Sequence, residues 1–455
     1  SNLMAEKSEP KAGKKEKKED GEDKETESKM NWGDNVVGAA ALSSRRLIRS
    51  LALSDSQEVL VYGDTKRILA ADCSTGELIA CEQPHTGRIT ALGYNRDKKL
   101  IATAGGNDKK LVVWDLPNMK IVSQGVTDKK VVALELDKSC ENVVFAEKSG
   151  EVFSKPLDAL DTPAKHLLGH ISSLTAMVIS EDGSHILTGD RDEKIRISHY
   201  PCTFDMLGVC LAHTELISCV ETFGDRVISA GADAMVCLWK LNDATLLDSL
   251  SLSEAATSDL PIPEPTTREK ESWDFKAAGT AQATASVSGR FRGKNEASPI
   301  ASLALHRSSK LVAVTVEKSS EVTLLKVTDD DKLKLLGSIS LGDSLPLGVC
   351  FLSGLLDAKP VLLVAAPFQE ESVLAFALSL PPDGSSVSGT PLSLADATAP
   401  QLKAVRAVAE CAKQDFLAHP PAEEDVAAAK EQQQYVQKRR RHTEPGWKDH
   451  TGKKN

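Results

Sequence analysis

Three histidines recur ahead of a hydroxyl and a carboxylate. His85 is followed by Thr103 and Asp108, His170 by Thr188 and Asp192, and His213 by Ser229 and Asp233. Imidazole and carboxylate are side chains of acid–base catalysis and of metal ligation. Their phase argues against both uses here. Each Asp lies six residues before a third-strand position, Trp114, Ser198 or Trp239, and the histidines precede those positions by 29, 28 and 26 residues. Polar groups repeated in step along a chain belong to a repeated structural unit. The set reads as a buried hydrogen-bond relay linking His, Ser/Thr, Asp and Trp and pinning neighbouring strands. No G-x-S-x-G elbow, Walker loop, G-x-G-x-x-G or H-E-x-x-H occurs, and no metal or catalytic group is expected.

The element that must position these groups is clearest at Ile186–Ser198. Two apolar runs flank a tight charged turn, with Ile195 and Ile197 alternating against Arg196 and Ser198. Period-two alternation on both sides of a turn predicts a hairpin. Asp190, Arg191, Asp192, Glu193, Lys194 and Arg196 balance three acids against three bases. A phosphate-binding patch would be basic throughout. A balanced cluster suits self-paired charges or a protein partner docked by charge complementarity. Arg196 stands mid-strand, where an unpaired charge is costly, so it is expected to pair with a partner's carboxylate or to join a network.

His through to Trp-Asp is the signature of the WD40 repeat, of about 42 residues. Trp114 to Ser198 is 84 residues, so one degenerate unit lies between, and Ser198 to Trp239 is 41. Apolar runs place a first, degenerate repeat at 59–70 and a third at 131–154. A sixth follows at 300–327 and a seventh at 347–378. The expected fold is all-β: a seven-bladed WD40 propeller over 36–399, closed into a ring without free sheet edges. A strand within 47–53 is expected as an outer strand, the N-terminal strand completing the last blade.

Aromatics make up only 4% of the 455 residues, consistent with degenerate blades, and the net charge of −10 argues against a whole-molecule nucleic-acid clamp. Nine cysteines lie scattered with no C-x-x-C. With no secretory signal read, they are expected to be reduced thiols of a cytosolic or nuclear protein. No apolar run approaches the ~20 residues of a membrane helix.

Residues 1–35 are dominated by Lys, Glu and Asp and are expected to be a disordered charged tail. A second disordered stretch, rich in Ala, Ser, Thr, Pro and Glu, is expected at 253–297 as an insertion between blades. Past residue 400, Val405, Val408, Ala409, Ala412 and Phe416 have helical spacing, and a second helical run is read at 422–437. The 400–455 extension ends in a basic segment containing Lys438, Arg439, Arg440 and Arg441. That run suits nuclear import, RNA contact, or a solvated charged end.

Residues 168–201, with D-R-D-E-K-I-R-I-S-H-Y-P at their centre, resemble the central blade of one WD40 family. This is the non-catalytic subunit of the eukaryotic tRNA (guanine-N7-)-methyltransferase. Generic repeats carry D-x-T-I-R-L-W-D there. The following L-A-H-T-E-L-I-S is also similar, and the close likeness covers roughly 166–240. The resemblance implies a nuclear heterodimer in which this chain has no catalytic residues. Its partner would be a Rossmann-type methyltransferase that binds S-adenosylmethionine and methylates N7 of a guanine in the tRNA variable loop. This subunit would stabilise and activate that partner and help to hold the tRNA. The family's partner contact falls on Asp190, Arg191, Asp192, Glu193, Lys194 and Arg196. The rival expectation is a general propeller scaffold, such as a ubiquitin-ligase substrate receptor or a chromatin adaptor.

Overall fold

The computed structural model describes residues 47–418 apart from 53–57, 64–66, 96–97, 117–118, 253–297, 343, 357–358, 366–372, 380–387 and 395–398. The charged N-terminal segment, the 253–297 stretch, the 422–437 run and Lys438–Arg441 lie outside the described residues.

Seven four-stranded antiparallel sheets follow one another along the chain. Blade 1 holds Leu47–Ala52, Glu58–Gly63, Ile68–Asp72 and Leu78–Glu82. Blade 2 holds Ile89–Asn95, Leu100–Gly105, Lys110–Asp115 and Lys120–Val126. Blade 3 runs from Val131–Leu136 to Lys165–Gly169, and blade 4 from Leu174–Ile179 through His185–Asp190 and Ile195–His199 to Met206–Cys210. Blade 5 covers Ile217–Phe223 to Leu246–Ser251, blade 6 Ile300–His306 to Leu333–Ser340, and blade 7 Gly348–Leu356 to Ser388–Pro391. The first strand of each blade packs against the first strand of the next, and that of blade 1 against that of blade 7, which closes the ring.

The core consists of seven apolar seams between blades, as the runs of small and β-branched residues in the second and third strands require. Trp114 fills the seam between blades 1 and 2, and Trp239 that between blades 4 and 5. Among the described residues the seam between blades 3 and 4 is the thinnest, with seven buried apolar residues against ten to eighteen elsewhere.

Two expectations about closure are corrected. Leu47–Ala52 is the innermost strand of blade 1, and the N-terminal strand does not complete the last blade. Blade 7 ends on its own fourth strand, Ser388–Pro391, paired to Val373–Ser379. A helix, Pro400–Ala418, instead joins the two ends of the ring. Its Leu402, Ala404, Val405, Val408 and Ala409 enter one cluster with Leu60 and Leu69 of blade 1 and Leu363 of blade 7. The apolar spacing read at 405–409 is therefore the stripe that seals the first blade to the last.

Candidate partner interface

Two of the three relays form as the sequence predicts. In blade 2, His85 Nε2 lies 3.0 Å from Thr103 Oγ1 and Nδ1 3.2 Å from Asp108, while Trp114 Nε1 donates to Thr103 Oγ1 at 3.1 Å. In blade 5, His213 reaches Ser229 Oγ at 2.9 Å and Asp233 at 3.0 Å, and Trp239 Nε1 donates to Ser229 Oγ at 2.9 Å. Both carboxylates also accept amides of their turns, from Lys110 and Met235. Burial is the largest influence on His85 and holds its pKa below the ordinary value despite Asp108 beside it. These groups are closed off inside the blades, which suits scaffolding.

Blade 4 departs from this plan, and the assignment of Asp192 to its relay is corrected. His170 Nε2 meets Thr188 Oγ1 at 2.8 Å as expected, but Nδ1 bonds Asp190 at 3.0 Å. Asp190 also accepts the Lys194 amide at 3.0 Å, the counterpart of the Lys110 and Met235 amides. Burial works against its ionised form, but the bonds from His170 and the Lys194 amide prevail and hold its carboxyl below the usual range. Asp192 is exposed and accepts the Ser172 hydroxyl at 2.9 Å.

The cause is a single side chain. Strand register places Asp190 opposite Leu174, as Gly105 stands opposite Ile89 and Gly231 opposite Ile217. A Cβ on Gly105 would stand 1.9 Å from Asp108 Oδ1 and 2.6 Å from His85 Nδ1. On Gly231 it would meet Asp233 Oδ1 at 2.6 Å and His213 Nδ1 at 2.7 Å. In those blades the glycine leaves room for the carboxylate of the turn to reach the histidine. In blade 4 that room is taken by Asp190 itself, whose carboxylate makes the bonds and displaces Asp192. The turn backbone is unchanged: Glu193 has φ +72°, matching Lys109 at +55° and Ala234 at +59°. The legible signal was T-G-D, where blades 2 and 5 read T-A-G and S-A-G.

The third-strand tryptophan is also replaced. Ser198 stands in its place, fully buried. Arg196, at the register position of Val112 and Cys237, donates from Nε to Ser198 Oγ at 2.9 Å and from Nη2 to the Thr203 carbonyl at 2.9 Å. Among the described residues its hydrogen-bond partners are thus neutral oxygens of its own chain, the network rather than the partner's carboxylate of the two alternatives expected. The guanidinium occupies the thin seam between blades 3 and 4 and holds the loop 200–205. Thr203 Oγ1 in turn donates to the Leu167 carbonyl of blade 3 at 2.6 Å. That loop presents Phe204, 86% exposed, and Met206 follows it, 51% exposed. Of the charged turn, Asp192 and Lys194 are exposed, Arg191 and Glu193 partly so, and Asp190 buried. Among the described residues, no group of three or more His, Cys, Asp or Glu side chains is placed to hold a metal ion.

Seven four-stranded blades, three of them with a His–hydroxyl–Asp relay among the described residues, define a WD40 β-propeller. Solved structures share the architecture. The Myceliophteria thermophila Cps50 (Swd1) β-propeller domain aligns with TM-score 0.54 at 12% identity, covering 71% of this chain and 93% of that one. U3-55K aligns with TM-score 0.51 at 18% identity, covering 70% and 91%. At such identities the likeness is one of fold.

The sequence comparisons are more particular. Residues 158–374 match the family model described as the tRNA methyltransferase TRM82 WD40 domain, and residues 76–115 match the WD domain, G-beta repeat. The chain therefore resembles the TRM82 family over the segment that holds the rearranged blade. The tRNA (guanine-N(7)-)-methyltransferase non-catalytic subunit wdr4 of Dictyostelium discoideum is 30% identical over 211 residues, 42% of this chain and 45% of that protein. The corresponding subunit wuho of Drosophila yakuba is 32% identical over 174 residues, 35% and 41% of the two chains. TRM82 of Kluyveromyces lactis is 28% identical over 263 residues, 50% and 59%. The chain thus spans about half the length of the curated relatives it matches.

Proposed function

We propose that this chain is the non-catalytic WD40 subunit of a heterodimeric tRNA (guanine-N7-)-methyltransferase. Its task is to stabilise and activate a catalytic subunit that holds S-adenosylmethionine and methylates guanine N7 in the tRNA variable loop, in the nucleus. The observation that carries this reading is the position of the family match. It covers the blade whose relay differs from the other two, and the relatives that share it are named as non-catalytic subunits of that enzyme.

The docking surface in this reading is the outer part of blade 4. Handing the relay to Asp190 leaves Asp192 free of scaffold duty. Asp192, Glu193, Lys194 and Arg191 then offer a charge pattern of both signs, which sets register and partner choice. Phe204 and Met206 add exposed apolar surface on the same blade. Arg196 serves the interface by holding the 200–205 loop. The basic run Lys438–Arg441 serves RNA contact or nuclear import. A general scaffold would account for the propeller but not for the changes at residues 190, 196 and 198.

The test is co-expression with the catalytic methyltransferase subunit of the same organism. The two chains should co-elute, and N7-methylguanosine in tRNA, measured by mass spectrometry of nucleosides, should require both. Separate elution, together with full activity of the catalytic chain by itself, would refute the proposal.

A further inference from the structure

Two thiols stand against the blade 5 relay, and neither the relay nor blade 4 docking uses them. Cys210 ends the outer strand of blade 4, and Cys237 lies in the third strand of blade 5. Both are free thiols, exposed by 1% and 0%, and both enter the apolar seam between the two blades.

The chain path brings them to one corner of that seam. Cys210 pairs with Ile195, which together with Ile197 forms the blade 4 side of the seam. Three residues after Cys210 comes His213, whose Nε2 lies 2.9 Å from Ser229 Oγ. Ser229 is the direct cross-strand partner of Cys237, and such partners share a face of the sheet with Cβ atoms about 5 Å apart. At the same two places blade 2 has Glu82 and Val112, and blade 4 is served by Leu167 and Arg196. Of the three relay blades, blade 5 alone brings two thiols together.

The electrostatics agree with this placement. Burial pushes the Cys210 thiol up to about 12, and Cys237 beside it adds to the rise. Burial acts to lower His213, but Cys237 beside it and the hydrogen bond to Asp233 prevail and hold it up at about 10. Cys237 thus lies within electrostatic reach of both the Cys210 thiol and the His213 imidazole.

We infer that Cys210 and Cys237 are a peroxide-oxidised pair, closing into a reversible disulfide that staples the outer strand of blade 4 to blade 5. The Cys237 proton passes to His213, and the sulfur attacks one oxygen of hydrogen peroxide. The O–O bond breaks, and the departing hydroxide takes the proton from His213 to leave as water. Cys237 is then a sulfenic acid. That group is neutral, so the repulsion Cys237 exerted on Cys210 is gone. The Cys210 sulfur attacks it, the S–S bond forms, the S–O bond breaks, and the hydroxide leaves as water with the Cys210 proton. Two thiols and one peroxide thus give one disulfide and two waters, the sulfurs supplying both electrons. Peroxide reaches the corner where the outer strand ends, since Leu211, next to Cys210, is 67% exposed and strand ends open first. The inference concerns the seam between blades 4 and 5 and does not depend on the docking reading.

The test treats the folded full chain, carrying Cys202→Ser to remove an exposed thiol, with a small excess of hydrogen peroxide well below its melting temperature. Peptide mapping by mass spectrometry without reductant should find Cys210 and Cys237 in one linked pair, lighter than the two reduced peptides by two hydrogens. Dithiothreitol should undo the link. The oxidised chain should melt a few degrees higher, and either Cys210→Ala or Cys237→Ala should abolish that rise. Cys210→Ala should leave Cys237 as a sulfenic acid that dimedone captures, whereas Cys237→Ala should leave Cys210 reduced. Should either variant fail to fold by circular dichroism, the peptide map of the chain with both cysteines still decides. Peroxide treatment that yields no Cys210–Cys237 peptide would overturn the inference. So would a link that forms only after unfolding in urea, or one that joins Cys237 to Cys219 instead.

Discussion

Asp190 and Asp192 differ by two positions and exchange roles because of one Cβ. The exchange predicts an unusual order of stabilities. Asp192→Ala removes one exposed bond to Ser172 and should cost less than about 0.5 kcal/mol. Asp190→Ala keeps a Cβ in the way of Asp192 while leaving His170 Nδ1 and the Lys194 amide without their acceptor, at a cost of about 1–3 kcal/mol. Asp190→Gly reopens the space that Gly105 and Gly231 provide, so Asp192 can swing in, and the loss should fall between the other two. Denaturant melts of the three variants check the order; Asp192→Ala as the worst of them would return the relay to Asp192. Arg196 and Ser198 allow a second exchange. Arg196→Val with Ser198→Trp gives V-I-W, close to the V-V-W of blade 2, with an indole to donate to Thr188 as Trp114 does to Thr103. Blade 4 should stay folded by circular dichroism, while capture of the catalytic subunit weakens as the 200–205 loop loses its Arg196 tether. Undiminished capture by the folded variant would remove Arg196 from the interface.

At the level of the element, blade 4 contains a pH-sensitive strand pair. His185 and His199 are direct cross-strand partners with ring centroids 4.9 Å apart. Burial is the main cause of the lowered pKa of His185, with the neighbouring His199 adding to it and Asp182 opposing. Ser184 Oγ and His185 Nδ1 are 2.6 Å apart. A histidine whose folded pKa lies below its unfolded value of 6.5 contributes stability above that pH, and loses it as the pH falls and the unfolded chain takes the proton first. The melting temperature should therefore drop between about pH 7 and 5. His199→Gln should lessen that drop by removing the repulsion, at little cost from its loose 3.8 Å contact with Asp205. An unaltered pH profile in His199→Gln would show that the pair does not couple. The effect is separable from that of Asp182, lowered to about 2 first by the Ser180 and Ser184 hydroxyls, whose contribution is lost only as the pH falls below about 4.

On the scale of the whole molecule, the ring is sealed by packing alone. Among the described residues, seven sheets each complete themselves, and no shared strand ties the last blade to the first. The helix Pro400–Ala418 takes that part, its apolar stripe lying across blades 1 and 7. Leu402→Ala, within this stripe, should lower stability by about 2–3 kcal/mol, the lower end expected for a buried leucine. Hydrogen exchange should then rise in both blades 1 and 7, although they stand at opposite ends of the chain. Faster exchange confined to the helix would mean that the ring closes without it.

Much of this was readable from residue order. The blade count, the hairpin at 186–198 and the histidine and hydroxyl of each relay follow from periodicities of two and of about forty, which are local properties of the chain. The helical stripe at 405–409 was legible for the same reason. Spacing also pointed to Asp192, since the turn backbone is the same in all three blades. What spacing cannot register is whether the volume beside a histidine is empty, and that depends on a Cβ in the neighbouring strand. Arg196 likewise reads as a lone charge in sequence, yet in the fold it finds the Thr203 carbonyl and the room left by a missing indole. Ring closure was beyond sequence altogether. A strand near the N-terminus could serve either end blade by its pattern, and only the pairing of Leu47–Ala52 within blade 1 and of Ser388–Pro391 within blade 7, with a helix some 350 residues away packed across both, decided that each blade completes itself.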